Sequence, residues 1–290
     1  MKKILTTIAA ILLVVSASAQ NRFLVGGTGS NKIAIINKNS QQIEWQHIGF
    51  NKECGQCNSL IYQENGDIFY AHKKGAYMIN AQREMLWKVD VKEGEEMQCV
   101  GEIKGGYMVG IAGTPTRILE LDKNGKITKE VTFDTGVTNV HRQFRQIAKT
   151  KKGNYIVPVG MTKKILEVDA KGKIIRDIQL ENQSLYVTIN NDGDWIATTG
   201  HAGDIYKIDN KSGKISTVLK GKTLSDGTVT GFVAGIVQLR NGNYMLTNWV
   251  GHKGDQTQPI IIELNDKWEV VWTMKKIAGY TFAAGIYPIY

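Results

Sequence analysis

The segment VHRQFR, residues 140–145, brings a histidine and two arginines within five positions of one another. An imidazole can act as a nucleophile or exchange protons near neutral pH, and a guanidinium can hold a carboxylate or a phosphate. The segment therefore has the residue types needed for catalysis or anion binding. Chance composition is the alternative, because the residues that follow, KTKKGNYIV, have the form of an ordinary β-hairpin.

The elements that must position these residues are indicated by an internal repeat. Each copy has a turn, a strand that starts Gly-x-Tyr/Trp-Ile/Met, a polar loop and a second strand that ends on an acid or amide. Clear copies begin at positions 105, 153, 193 and 242, and looser ones at positions 21 and 66, so the intervals are 39 to 49 residues. Each interval holds four short apolar runs and lacks the 3.6-residue period of an amphipathic helix.

Four strands every 40 to 50 residues are typical of a β-propeller blade. One such sheet is apolar on both faces, so it must pack against neighbouring blades in a ring. The sequence therefore predicts an all-β fold, a β-propeller of six four-stranded blades. A pair of β-sandwiches and a seven-bladed propeller are the alternatives.

The two ends of the chain support this prediction. The first copy lacks an innermost strand, whereas TFAAGIYPIY, residues 281–290, is an apolar stretch with no copy of its own. It resembles FVAGIVQL, the inner strand that precedes position 242. We expect the C-terminal strand to close the first blade and remove a free sheet edge.

The N-terminus MKKILTTIAAILLVVSASAQ has two lysines, a short apolar run and a small-residue pattern that ends at Ala19. This is the pattern of a secretory signal peptide, so residues 1–19 are predicted to be removed and residues 20–290 to form a single propeller domain, periplasmic or secreted. No other segment is long and apolar enough to be a transmembrane helix. Loss of Lys2 and Lys3 takes the formal charge from +9 to +7, carried largely by turn lysines, and no nucleic-acid partner is expected.

Three cysteines are present, Cys54, Cys57 and Cys99. Cys54 and Cys57 have the C-x-x-C spacing of redox and metal sites, but no second C-x-x-C and no following histidine accompany them. A local disulfide, a redox role and buried idle thiols all remain open.

The closing D-x-x-G-K-I turns and the tryptophans of the outer strands (Trp45, Trp87 and Trp272) resemble those of quinoprotein-like, or PQQ-like, β-propeller repeat proteins of the bacterial envelope. The quinone-dependent dehydrogenases of that group have eight blades, a vicinal cysteine pair and acidic calcium ligands. This chain has six copies and no adjacent cysteines, which argues against quinone, and no cofactor is expected. A metal is left open without a supporting motif. Val140-His141 also resembles the histidine segment of periplasmic arylsulfotransferases, which implies a nucleophile at His141.

In a propeller, the loops between second and third strands lie on the same face as the connections between blades. All five histidines map to this face: His72, His201 and His252 in the loops, and His47 and His141 in the connections. His141, His201 and His252 come from neighbouring blades and, with Arg142, are the catalytic candidates. The ligand-binding candidates on the same face are Arg145, Gln143, Trp249, His72, Gln56, Asn58 and Gln98. Solvated loop residues are the alternative, above all for His47 and His72.

The main hypothesis is a secreted binding module that holds a carbohydrate, an anionic small molecule or an envelope protein on this face. The alternative is a histidine-dependent lyase or group transferase at the same place, and whether the chain is an enzyme is left open. An assembly role for the blade edges is a third possibility. The catalytic alternative requires His141, His201 and an arginine to converge on one pocket.

Overall fold

The short apolar runs form four-stranded antiparallel sheets, which are the blades of a six-bladed β-propeller. The computed structural model describes residues 21–27, 32–50, 56–251, 255–275 and 283–290. The predicted all-β fold is confirmed. Helical structure in the described ranges amounts to two short 3-10 turns, Val140–Arg142 and Gly160–Thr162.

The first three blades contain the following strands in chain order. Blade 1 has β1 (Arg22–Gly27), β2 (Lys32–Asn37) and β3 (Ile43–Ile48). Blade 2 has β4 (Ser59–Tyr62), β5 (Ile68–His72), β6 (Gly75–Ile79) and β7 (Met85–Asp90). Blade 3 has β8 (Glu96–Ile103), β9 (Gly106–Ala112), β10 (Thr116–Asp122) and β11 (Ile127–Phe133).

The remaining blades follow the same plan from the channel outward. Blade 4 has β12 (Ala148–Lys149), β13 (Tyr155–Val159), β14 (Lys164–Val168) and β15 (Ile174–Gln179). Blade 5 has β16 (Tyr186–Ile189), β17 (Trp195–Thr198), β18 (Ile205–Ile208) and β19 (Ile215–Leu219). Blade 6 has β20 (Val233–Gln238), β21 (Tyr244–Asn248), β22 (Ile261–Leu264) and β23 (Val270–Met274).

The last strand, β24 (Ala283–Ile289), is the innermost strand of blade 1. It pairs antiparallel with β1, from Arg22 opposite Ile289 to Gly27 opposite Ala283. The predicted closure by the C-terminal strand is therefore confirmed, and the inner edge of β1 is covered.

The core lies between blades. Every residue of the middle strands β5, β6, β9 and β13 is buried, whereas the outer strands β7 and β15 expose most of their residues. One apolar cluster fills each of the six gaps between neighbouring blades in the described chain. Face-to-face packing thus buries both sides of each sheet, as the repeat predicted.

The turn between the third and fourth strands has one left-handed residue at the same position in every blade. These residues are Gln41, Arg83, Gly125, Gly172, Gly213 and Trp268. Gly172 rests on the outer strand of the preceding blade so closely that an added Cβ would overlap the carbonyl oxygen of Thr132. The turn is therefore also a contact between blades.

The inner strand of blade 4 is short, since only Ala148–Lys149 pairs as β12. The preceding segment leaves the ladder because the backbone N–H groups of Arg145 and Gln146 donate to the Leu185 carbonyl, at 2.8 and 3.1 Å. His47 was expected in a connection between blades but lies buried within β3.

No helix in the described part of the chain has the length and apolar character needed to cross a membrane.

Candidate functional site

A cavity of about 280 Å³ opens at the mouth of the central channel. Seven of the predicted site residues line it: His141, Arg142, Arg145, His201, Trp249, Gln56 and Asn58. The other lining residues are Gln183, Leu185, Tyr186, Phe232, Ala234 and Ala284. Segments from the inner ends of several blades thus converge on one concave site, which we call the mouth cavity.

His141 reaches the mouth cavity on the 3-10 turn Val140–Arg142, which leads from blade 3 to blade 4. The buried side chain of Gln143 anchors the turn to blade 3. Its amide nitrogen donates to the carbonyls of Gly113 and Val137, at 2.8 and 2.7 Å, and its oxygen accepts from the Thr116 hydroxyl at 2.9 Å. Gln143 was predicted to bind ligand, but its hydrogen bonds are used within the protein and it does not line the mouth cavity.

His141 lies between an acid and a base. Its Nδ1 is 2.8 Å from Glu96 and its Nε2 is 3.0 Å from a guanidinium nitrogen of Arg145. A guanidinium can only donate, so Nε2 accepts and Nδ1 carries the proton that it donates to Glu96. This arrangement places a proton on Nδ1 of His141.

Glu96 is held ionised by its partners. Burial would raise the pKa of this carboxyl, but hydrogen bonds from His141 and from Lys73, at 2.8 Å each, outweigh burial and lower the pKa to about 2. The amide of Gln98 donates to the same carboxylate at 3.1 Å. Gln98, another ligand-binding candidate, is buried behind Glu96 and does not line the mouth cavity.

Arg145 is the most deeply buried cation of the site, with 8% of its surface exposed. Its guanidinium donates to the Phe144 carbonyl at 2.9 Å, yet no carboxylate of a described residue lies within 4.0 Å of it. Burial lowers the pKa of Arg145, although the nearby Glu96 acts in the opposite direction. A buried, charged guanidinium beside an open cavity is a strong anion-binding group.

His201 lies on the opposite wall, in the loop between β17 and β18. Its Nδ1 is 3.1 Å from the Gly231 carbonyl, and because a carbonyl can only accept, Nδ1 carries a proton. In the neutral ring, Nε2 of this exposed side chain therefore has a lone pair that accepts from no described residue. The ring packs edge-on against Phe232, which in turn packs edge-on against Trp249, with centroid separations of 4.8 and 5.8 Å.

The floor of the mouth cavity is polar but uncharged. The buried Tyr186 hydroxyl donates to the Asn58 side-chain oxygen at 3.4 Å. Burial raises the pKa of Tyr186 to about 12, and the neighbouring Arg145 only partly offsets this shift. Tyr186 is therefore a neutral hydrogen-bonding group at neutral pH.

The structure does not bring every predicted histidine to the mouth cavity. His72 is fully buried at the end of β5, and neither ring nitrogen has a hydrogen-bond partner among the described residues. His47 is also buried, 3.2 Å from the Tyr70 hydroxyl. His252 lies outside the described residues. Of the three histidines named as catalytic candidates, His141 and His201 line the same cavity, together with Arg142 and Arg145.

The described cysteines do not take part in the site. Cys57 and Cys99 are buried free thiols, and burial raises the pKa of each to about 12. Such thiols are protonated and unreactive at neutral pH. Cys54 lies outside the described residues. No group of three described acidic, histidine or cysteine side chains is arranged to hold a metal ion.

Two aromatic residues of the mouth cavity, Tyr186 and Phe232, were not predicted from the sequence. Tyr186 begins β16 and Phe232 directly precedes β20, so each stands where an inner strand leaves the mouth. Asn58, which was predicted, has the equivalent position before β4. Aligning the copies on their inner strands, and not only on their hairpin turns, is the signal that would have found Tyr186 and Phe232.

A larger groove of about 930 Å³ lies at the opposite end of the blades, near the turn between β4 and β5. Several of its polar groups pair within the protein: Gln63 and Tyr287 both donate to Glu102, at 2.9 and 3.1 Å, and Arg240 stacks on Tyr290 at 3.9 Å. It has acidic and basic side chains together. The mouth cavity, whose two arginines have no described carboxylate within 4.0 Å, is the better candidate site.

Comparison with known proteins identifies a family. The model of the Mal s 1 allergenic protein-like family matches residues 21–268. A crystal structure of a protein of unknown function from Bacteroides caccae is 32% identical, with a TM-score of 0.87, and the match covers 92% of this chain and 98% of that chain. No curated protein matches the chain.

Two more distant solved structures share the fold. A catalytically inactive histidine-to-alanine variant of virginiamycin B lyase from Staphylococcus aureus, with quinupristin, is 14% identical with a TM-score of 0.61, covering 90% of this chain and 87% of that one. A chain of the nidogen/laminin complex is 12% identical with a TM-score of 0.62, covering 91% and 97%. At this identity the likeness shows the six-bladed fold alone. The resemblance to quinoprotein-like repeats is not confirmed beyond the propeller fold.

Proposed function

The chain belongs to the Mal s 1 allergenic protein-like family, and we propose that it binds a small anionic ligand in the mouth cavity. The observation that carries this proposal is the buried Arg145, which faces the cavity without a described carboxylate within 4.0 Å. A carboxylate or phosphate of the ligand would supply the missing charge in a bidentate contact. Exposed Arg142 adds a second positive charge at the rim.

The shape of the site favours a small ligand over a protein. A specific protein interface is an extended surface that buries about 800 Å² on each partner. The mouth cavity is instead concave, and its volume of about 280 Å³ is close to the lower end of the range of small-molecule sites. Phe232 and Trp249 provide an apolar wall, and Gln56 and Asn58 provide amides. This combination suits a compact molecule with an acidic group and a flat or apolar part.

The test is a calorimetric titration with a panel of carboxylates, phosphates and acidic sugars. We expect Arg145→Lys to weaken binding about tenfold, because lysine keeps the charge but loses the planar fork. Arg240→Lys, on the opposite face, is the matched control and should bind as the wild type does. Equal affinity in all three proteins, or no binding of any compound, would contradict the proposal.

A second candidate function is elimination by a lyase, favoured by the tautomer of His201. Its Nε2 lone pair would take a proton from the carbon next to a carboxylate that Arg145 holds. The C–H electron pair then forms a carbon–carbon double bond, the bond from the next carbon to its oxygen breaks, and that oxygen takes a proton from solvent. Virginiamycin B lyase shares the fold, but this candidate rests on His201 and not on that likeness.

Incubation in ¹⁸O-labelled water with quinupristin and with carboxylates that carry an oxygen leaving group tests this candidate. An elimination product contains no label, whereas a hydrolysis product does. We expect His201→Ala to lower turnover at least about a hundredfold while ligand binding persists. Turnover that survives this substitution would exclude His201 as the base.

We also propose that the protein is exported, as residues 1–19 predict. Mass spectrometry of the protein recovered from an envelope fraction should find Gln20 as the first residue. An intact Met1 in that fraction would contradict the cleavage.

A further inference from the structure

A second cavity of about 210 Å³ adjoins the mouth cavity between blades 4 and 5, and we call it the side cavity. The two cavities share the side chains of Gln183, Leu185, His201 and Phe232 as walls. A ligand that fills both would pass directly over His201. Together, the two cavities therefore have room for a ligand longer than one that fills the mouth cavity alone.

The lining residues of both cavities that carry a permanent charge are positively charged. Arg142 and Arg145 line the mouth cavity and Lys163 lines the side cavity, whereas no aspartate or glutamate is among the described lining residues of either. Lys163 ends the 3-10 turn Gly160–Thr162 in a left-handed conformation, and no described carboxylate lies within 4.0 Å of its ammonium group. A ligand that spans the cavities would meet a cation in each.

The buried carboxylate of Asp204, which accepts from the lining residue Asn182, already has partners within the protein. Asp204 is buried and accepts hydrogen bonds from Asn182, Lys220 and the Gly221 backbone, at 2.9, 3.2 and 2.7 Å. The cation that pairs with Asp204 is thus Lys220 and not Lys163. Among the described lining residues, those that carry a permanent charge are all cations, from Arg145 to Lys163.

The uncharged residues that line the cavities indicate the chemistry of the part of the ligand that lies between the cations. Side-chain amides occur in both cavities, with Asn58 in the mouth, Asn182 at the side and Gln183 shared. An amide donates and accepts at once, which suits neighbouring hydroxyl groups. Phe232 supplies an aromatic surface between the two cavities, which suits the C–H face of a sugar ring.

We propose that the ligand is an acidic oligosaccharide, a chain of uronic acid residues with one carboxylate at Arg145 and another at Lys163. This inference rests on the proposed binding of an anion at Arg145 and extends it to a second subsite. One uronate fills the mouth cavity, and the next lies past His201 in the side cavity. Affinity should accordingly depend on chain length and on acid groups together.

The test compares monomers and trimers of glucuronate, galacturonate and mannuronate by calorimetric titration. We expect the trimer of the preferred sugar to bind at least about tenfold more tightly than its monomer, because it occupies both subsites. Lys163→Gln should weaken the trimer about fivefold and leave the monomer unchanged, since an exposed cation contributes modestly. Lys152→Gln makes the same charge change in an exposed turn outside both cavities and is the control.

The outcomes separate this inference from the proposed function. A monomer that binds through Arg145 without a gain for any trimer would overturn the second subsite and leave the anion site intact. Binding of none of the six acids would overturn the uronate assignment. A tri-aspartate peptide is the competing occupant, and tighter binding of this peptide than of every trimer would also overturn the assignment.

Discussion

At the scale of single residues, His72 is an imidazole with no hydrogen-bond partner among the described residues, enclosed beside the rings of Tyr70 and Tyr77. Burial, followed by the proximity of His47, lowers the pKa of His72 to about 4. Burial and Arg83 lower the pKa of His47 to about 4 as well. Both rings are neutral in the folded protein at neutral pH and add no charge to the core.

These shifts predict sensitivity to acid. Because the folded-state pKa lies below the unfolded value near 6.5, the contribution to stability is complete above pH 6.5 and is lost as the pH falls toward 4. Each such group should steepen the loss by up to about 1.4 kcal/mol per pH unit in this window. Urea denaturation at pH 7, 6 and 5 measures the slope.

The variant His72→Leu removes the titrating group and the two unpaired nitrogens while keeping a similar volume. We expect its free energy of unfolding to equal or exceed that of the wild type at pH 5, and its slope with pH to be shallower. A slope unchanged from the wild type would show that burial does not lower the pKa of His72 in the folded protein.

His141 and Arg145 show which part of the candidate site could be predicted from the sequence. Their types and spacing predicted an anion site, and the structure places both on the mouth cavity with His201. The partner Glu96 and the aromatic Phe232 come from distant parts of the chain, and only the ring of blades brings them close. His72 and Gln143 were misplaced because pattern identifies a loop but not whether its side chain turns toward the core.

At the scale of elements, turn glycines that look alike in the sequence differ in their contacts with the neighbouring blade. Gly172 and Gly153 have nearly the same left-handed conformation, with φ of 88° and 90°. A Cβ on Gly172 would overlap the Thr132 carbonyl of blade 3, whereas a Cβ on Gly153 would meet nothing within 4 Å. The pair separates backbone strain from the contact between blades.

Gly153→Ala should therefore cost about 1 to 2 kcal/mol of unfolding free energy, from the left-handed backbone alone. Gly172→Ala should cost at least about 2 kcal/mol more, because blade 4 must move away from blade 3. Chemical denaturation of both variants measures the difference. Equal losses would show that the outer turn does not hold the blades together.

Another element-scale prediction concerns the turn that carries His141. Gln143→Met leaves the Gly113 N–H and carbonyl, the Val137 carbonyl and the Thr116 hydroxyl without the amide that joins them. We expect a loss of at least about 4 kcal/mol, since each of these four buried groups left unsatisfied costs about 1 to 3 kcal/mol. The ¹⁵N resonances of the His141 ring should also shift as its turn loosens.

Gln146→Met is the matched control for this change, because Gln146 is half-buried and is anchored through its backbone N–H to Leu185. It should keep both the stability and the His141 resonances of the wild type. If Gln143→Met behaved in the same way, the anchoring of the turn by Gln143 would be refuted.

At the scale of the whole molecule, stability depends on closing a ring that has no single central core. Each apolar cluster belongs to two neighbouring blades, so a gap at one position leaves two blade faces open to water. The chain closes the ring by bringing its last strand to its first sheet. The six copies visible in the sequence, with the unmatched apolar end, were sufficient to predict this topology.

Closure also contributes to the site. Ala284 of β24 lines the mouth cavity, and its carbonyl accepts a hydrogen bond from the Thr247 hydroxyl of blade 6 at 2.9 Å. Gly285 lies against the backbone of Asn58, where an added Cβ would come within 2.8 Å of the carbonyl oxygen. The closing strand therefore touches blades 2 and 6 as well as its own sheet.

Removal of residues 283–290 tests the dependence of the fold on this closure. The truncated chain would expose the inner edge of β1 and the apolar clusters on both sides of blade 1, so we expect a fall in Tm of more than about 10 °C or aggregation. Because β24 is held by pairing and packing, a synthetic peptide of residues 283–290 added in trans should restore part of the lost Tm. Removal of Tyr290 alone, which lies beyond β24 and contacts blade 6 through Arg240, should have a smaller effect. A truncated protein with the Tm of the full chain would show that the propeller is stable when blade 1 lacks its inner strand.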